Sequence, residues 1–108
     1  MAESRMEDED PFLPVRITHN SEQIWSDNKL EQNYNYLVYE FETEQHRYRA
    51  RAYLDRIRAV AVYGPFEKDP AKPAPLEGLE IDQRVLTYLR RRYMEITRLG
   101  PSGYVPIT

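Results

Sequence analysis

Apolar and polar residues alternate with period two from position 36 to position 63, the most sustained pattern in the chain. In Tyr36-Leu-Val-Tyr-Glu-Phe-Glu42, one face carries Leu37, Tyr39 and Phe41, and the other Tyr36, Val38, Glu40 and Glu42. Between His46 and Leu54, Tyr48, Ala50, Ala52 and Leu54 share a face, opposite Arg47, Arg49, Arg51 and Tyr53. Such alternation predicts half-buried strands. A turn at Glu44-Gln45 sets Glu42 opposite Arg47, Glu40 opposite Arg49 and Val38 opposite Arg51. The same register sets Phe41 opposite Tyr48, Tyr39 opposite Ala50 and Leu37 opposite Ala52. A slip of one residue would oppose charged and apolar side chains throughout, so the register is well specified.

A third strand, Ile57 to Tyr63, is expected after a tight turn at Asp55-Arg56, with Ala59 opposite Ala52 and Ala61 opposite Ala50. The apolar face would then have a flat alanine centre (Ala50, Ala52, Ala59, Ala61) on which a helix can sit closely. The other face would gather Tyr36, Val38, Arg47, Arg49, Arg51, Tyr53, Arg58, Val60 and Val62.

Helical spacing follows at the C-terminal end. Val85, Leu86, Leu89, Tyr93 and Ile96 line one face of a helix expected over 80–99, with Gly100 as its left-handed stop before Pro101. The opposite face would carry Arg84, Thr87, Arg91, Glu95 and Arg98, a solvated stripe in which Arg91 and Glu95 pair. Residues 64–78 hold four of the eight prolines and predict a semi-rigid connector. Near the N-terminus, Val15 to Thr18 and Glu22 to Trp25 read as a short hairpin around His19-Asn20-Ser21, followed by a helical turn within 26–33. The tail Tyr104 to Thr108 should be extended. The expected fold class is α+β: an antiparallel meander of three main strands, extended by an N-terminal hairpin, with one C-terminal helix packed on one face.

Charge divides the chain. Residues 1–10 are acidic and nearly free of apolar side chains, which predicts a disordered tail ahead of a single domain over 11–108. That domain is close to neutral, its basic side dominated by arginine. Leu, Ile, Val and Phe supply 24 of 108 residues, just above the ~20% below which disorder is expected. Nine tyrosines must therefore share in the packing. The chain has no cysteine, which excludes disulfides, thiol nucleophiles and Cys-ligated metal. No apolar run approaches the ~18 residues of a membrane span, and a cytoplasmic location is the expectation.

Chemistry-bearing motifs are few. The four glycines form neither a phosphate loop nor a dinucleotide fingerprint, and no serine sits in a nucleophile elbow. His19 and His46, the second with Glu44 beside it, are a poor ligand supply, so neither metal nor cofactor is expected. Glu40 and Glu42, each opposite an arginine, read as structural ion pairs rather than general acids. The unusual surface is the Arg/Tyr/Val sheet face, because tyrosine and arginine around an apolar centre is the composition of a protein interface. The expected function is a non-catalytic, adaptor-type protein-binding domain that self-associates through this face as a homodimer. Single-stranded nucleic-acid binding on the same face ranks second, since tyrosines can stack bases and arginines can follow phosphates. A small enzyme using His46 and Glu44 ranks third.

Overall fold

A computed structural model describes residues 12–72, 74–100 and 103–107. The acidic segment 1–10 lies outside the described residues. The described residues build one sheet of six strands in sequence order: β1 (Arg16–Ser26), β2 (Lys29–Glu42), β3 (Arg47–Tyr53), β4 (Ala59–Phe66), β5 (Glu95–Gly100) and β6 (Gly103–Pro106). Neighbours run antiparallel except β4 and β5, which are parallel. One helix, α1 (Gln83–Arg90), lies in the β4–β5 connection. The α+β meander of three strands and a long helix is thus corrected, among the described residues, to a six-stranded mixed sheet with one eight-residue helix.

The β2–β3 pairing has the register the alternation specifies, from Tyr36↔Tyr53 to Glu42↔Arg47. The β3–β4 pairing does not. Ala50 lies opposite Val62 and Arg51 opposite Ala61. The two-residue turn expected at Asp55-Arg56 is instead a five-residue connection, 54–58. It folds as successive turns, with Arg56 N donating to the Tyr53 carbonyl at 3.0 Å and Ala59 N to the Arg56 carbonyl at 3.1 Å. Those residues shift the pairing by one, and a one-residue shift exchanges the faces of a strand. Val60 and Val62, at 3% and 0% exposure, therefore point into the core, while Ala59, Ala61 and Tyr63 take the second face. Burial decides the matter: two valines on the core side remove more apolar area from water than two alanines would.

The chain from Glu95 to Gly100, expected as the end of the helix, is strand β5. Without it, β4 would be a sheet edge directly over the buried Val60 and Val62. Ile96 lies opposite Val60 and is buried at 1% exposure. Parallel pairing requires a long crossover, which 67–94 supplies. Asp82 caps the helix by accepting the Arg84 backbone N–H at 2.8 Å. Val85, Leu86, Tyr88 and Leu89 then pack it onto Tyr39, Phe41, Tyr48, Ala50, Ala52, Val60, Val62 and Ile96. Gly100 is consequently a strand residue at the β5–β6 hairpin rather than a helix stop. The expected stripe of Arg84, Arg91 and Arg98 does not form, because Arg98 lies on β5 and ties the 64–79 connection through the Gly64 and Leu79 carbonyls.

The N-terminal hairpin is longer than the sequence reading. Residues 19–21 continue β1, and the turn is Asp27-Asn28, with φ of 51° and 63°. Two positive φ values mark a type I′ turn, which suits Asn and Asp and matches the twist of the flanking strands. No helical turn forms within 26–33. Because β2 outlasts β3, the part of the hairpin beyond Asn35 runs on as a two-stranded arm. That arm gives the molecule extents of 60 × 34 × 26 Å and a radius of gyration of 16.0 Å, against about 13 Å for a compact domain of this size.

Gly64 allows a close approach between β4 and β3. Its φ is +123°, and a Cβ there would lie 3.1 Å from the Arg47 carbonyl, beside the irregularity in the β3–β4 ladder.

Candidate functional site

The second face of the sheet, the one α1 does not cover, is built by alternate residues of β2 to β6. Tyr36 and Val38 come from β2, the arginines and Tyr53 from β3, Ala59, Ala61 and Tyr63 from β4, and Glu95 and Thr97 from β5. Tyr104 arrives from β6 opposite Leu99. Small side chains at the centre and large ones at the sides leave a trough of about 370 Å³. Its floor is Ala59, Ala61 and Thr97. Arg51 and Tyr53 form one wall, Tyr63 and Tyr104 the other, and Arg56 and Glu95 contribute opposite charges.

The walls are braced. The Arg51 guanidinium lies 4.4 Å from the Tyr36 ring centroid and donates to the Tyr53 hydroxyl at 3.2 Å. Tyr36 and Tyr53 pack at 5.3 Å, and Tyr34 meets Tyr53 edge-on at 6.0 Å. On the far side, the Tyr63 and Tyr104 hydroxyls are 3.0 Å apart and the rings meet at 86°. Burial, then the bond to Tyr104, raises the Tyr63 pKa above its ordinary value. Tyr63 therefore stays neutral at physiological pH, and the pair forms a hydrogen-bonded aromatic wall.

The nine residues expected on this face separate into groups. Arg49, Arg51 and Tyr53 are on it, and Arg51 and Tyr53 line the trough. Tyr36 and Val38 are on it but covered, at 7% and 8% exposure. Arg47 turns to the edge, where its Nε donates to the Glu67 carbonyl at 2.8 Å and its guanidinium lies over Phe66. Arg58 is exposed in the 54–58 connection, its carbonyl accepting the N–H groups of Met94 and Glu95. Val60 and Val62 belong to the core. The expected apolar island of valines is thus replaced by a floor of small residues. Arg56, Ala59, Ala61, Tyr63, Glu95, Thr97 and Tyr104 were hidden by the length of one connection and by the misread strand β5. The ion pair at Glu40 is with Arg16, at 3.6 Å, across β1–β2.

Glu44 and His46 both lie at the β2–β3 turn. Glu44 binds Arg84 at 2.8 Å, and Arg84 also binds Asp82 at 2.9 Å. The hydrogen bond from Arg84 leads in holding the Glu44 carboxyl down, from 4.5 to about 2. A lowered carboxyl stabilises the fold above its ordinary pKa of 4.5 and loses that contribution as pH falls toward 2. Solvent screening keeps the effect small at this exposed site. Replacing Arg84 with alanine should return the Glu44 pKa toward 4.5, measured by carboxyl NMR titration; a value held near 2 would mean that Arg84 is not the cause. His46 uses its backbone groups to close the β2–β3 turn, its N–H donating to Thr43 Oγ1 at 3.0 Å. His19 lies on β1, opposite Leu37, rather than in a turn. Among the described residues, no three His, Asp or Glu side chains converge to hold a metal. No helix among them is long and apolar enough to cross a membrane.

A second hollow, about 800 Å³, lies between the 75–80 segment and the ends of β4, β5 and β6. Phe66, Leu76, Leu79, Leu99 and Val105 make its lining mainly apolar, and Arg98 is spent on the two carbonyls it bridges.

Compared with known proteins, the chain matches no family model, no curated protein and no solved structure.

Proposed function

We propose that the protein is a non-catalytic binding module whose ligand is a segment of another protein, held in the Arg51/Tyr53/Tyr63/Tyr104 trough. The observation that carries this reading is the small-residue floor between two braced aromatic walls. Tyrosine held in place gives contact area with little further loss of side-chain freedom on binding. Self-association through this face has less to drive it, since Val60 and Val62 lie in the core and Val38 is buried. Nucleic-acid binding fits the geometry less well. Arg51 is stacked on Tyr36, Arg47 is turned to Glu67, and Glu95 sits in the trough, so no continuous basic track follows it.

A peptide-display selection against the wild-type protein tests the reading, with Ala61→Arg filling the trough floor in a counter-selection. Peptides dependent on the trough should lose at least about tenfold in affinity on Ala61→Arg and vary little with salt. The reading fails if no selected peptide depends on Ala61. It also fails if an oligothymidylate binds instead, with affinity that collapses with salt and with Arg49→Glu, because counterion release would then dominate.

A further inference from the structure

The two edges of the sheet are treated differently. β6 is four residues long and ends on Pro106, a short, proline-terminated edge of the kind that resists further pairing. β1 is eleven residues long, contains no proline, and pairs on one side only among the described residues. Its second half belongs to the two-stranded arm, where Ile24, Trp25 and Leu30 are exposed at 47%, 58% and 46%. Isolated two-stranded ribbons are marginal in water and gain from a third strand.

We infer that β1 is a homodimer edge, pairing antiparallel with β1 of a second copy about a twofold axis at Ser21. Ser21 is the midpoint of Arg16–Ser26, so this register uses all eleven residues of both strands. It lays the arm half of each strand (21–26) along the body half of the other (16–21). Each ribbon thereby gains a third strand. On the helix side of the sheet, Ile17 of each copy meets Trp25 of the other, joining two exposed apolar side chains. On the second face, Thr18 meets Ile24, Asn20 meets Glu22 and Arg16 meets Ser26. No like charges stand opposite one another.

Neighbouring registers do worse. Faces are preserved only when the axis passes through a residue, so the nearest alternatives centre on Asn20 and Glu22. Centring on Glu22 opposes that carboxylate to its own copy and sets Trp25 against His19. Centring on Asn20 sets Ile17 against Gln23 and Arg16 against Ile24. The apolar pattern and the charges agree on Ser21, which is how strand register is specified. The twofold leaves the trough of each copy facing the same side and open, so this assembly is independent of the ligand reading above.

Sedimentation velocity over a concentration series tests it, with Ser21→Asp and Ser21→Lys as probes. Ser21 is exposed, so neither change disturbs the monomer, as circular dichroism verifies. Wild type should dimerise. Each variant alone sets like charges at the axis and should weaken dimerisation about tenfold or more. An equimolar mixture of the two should recover it, a rescue that misfolding cannot mimic. The inference is overturned if wild type is monomeric up to its solubility, if the Ser21 variants dimerise like wild type, or if the mixture shows no recovery. Loss of the dimer on Ala61→Arg alone would assign self-association to the second face instead.

Discussion

Val62→Asp should abolish the folded state, while Ala61→Asp, one residue away, should leave stability within about 1 kcal/mol of wild type. Val62 has no exposed surface and faces the core opposite Ala50. A carboxylate there loses its hydration, and its neighbour Arg98 is already held by the Gly64 and Leu79 carbonyls, so the change costs at least about 4 kcal/mol. A domain of this size has only about 5–15 kcal/mol to lose. Ala61 faces the trough beside Arg51, so an aspartate there stays hydrated and meets a favourable charge. Chemical denaturation of the two variants reads the contrast. Equal destabilisation would show that β4 does not separate its faces in this way.

Phe41→Ala should cost about 3–5 kcal/mol, the range for emptying a fully buried aromatic site. Phe41 is completely buried and joins three elements of the structure. It stacks on Phe12 at 5.9 Å and on Tyr39 at 6.3 Å, and it meets Tyr88 of α1 edge-on at 5.4 Å. These rings span the N-terminal entry, the sheet and the helix, so collapse of one wall cannot fill the cavity. Tyr34→Ala, at an aromatic of the arm, should cost far less. A denaturation midpoint for Phe41→Ala close to that of Tyr34→Ala would contradict the aromatic cluster as the centre of the core.

The sequence specifies β2 and β3 because both members of each cross-strand pair are legible: charge opposes charge, and aromatic opposes small residue. In β4 that legibility fails. Ala59, Val60, Ala61 and Val62 are all apolar, so alternation alone does not say which pair faces inward, and the length of the preceding connection decides it. Five residues at 54–58 rather than two reverse the assignment. The stretch from Tyr93 to Leu99 is ambiguous for another reason. Ile96 fits helical spacing with Val85 and Leu89, yet Glu95-Ile96-Thr97-Arg98-Leu99 alternates equally well. What selects the strand is the unpaired edge of β4, a tertiary requirement that no local window contains. On the arm, Asp27-Asn28 is a legible type I′ signal, obscured by the polar run His19-Asn20-Ser21, which resembles a turn but lies mid-strand.

The candidate site inherits this pattern. Arg51 and Tyr53 were readable because β3 was readable. The trough floor and its far wall depend on β4, β5 and β6, which only the assembled sheet brings together.

The trough exists only if Ala61 and Val62 face opposite ways, and thiol labelling tests that most directly. The chain contains no cysteine, so Ala61→Cys and Val62→Cys each introduce a single reporter. Under native conditions, Ala61→Cys should react with a thiol reagent at close to the rate of an exposed thiol. Val62→Cys should be protected until the protein unfolds. Rapid labelling of Val62→Cys with protection of Ala61→Cys would reverse the faces of β4 and remove the trough.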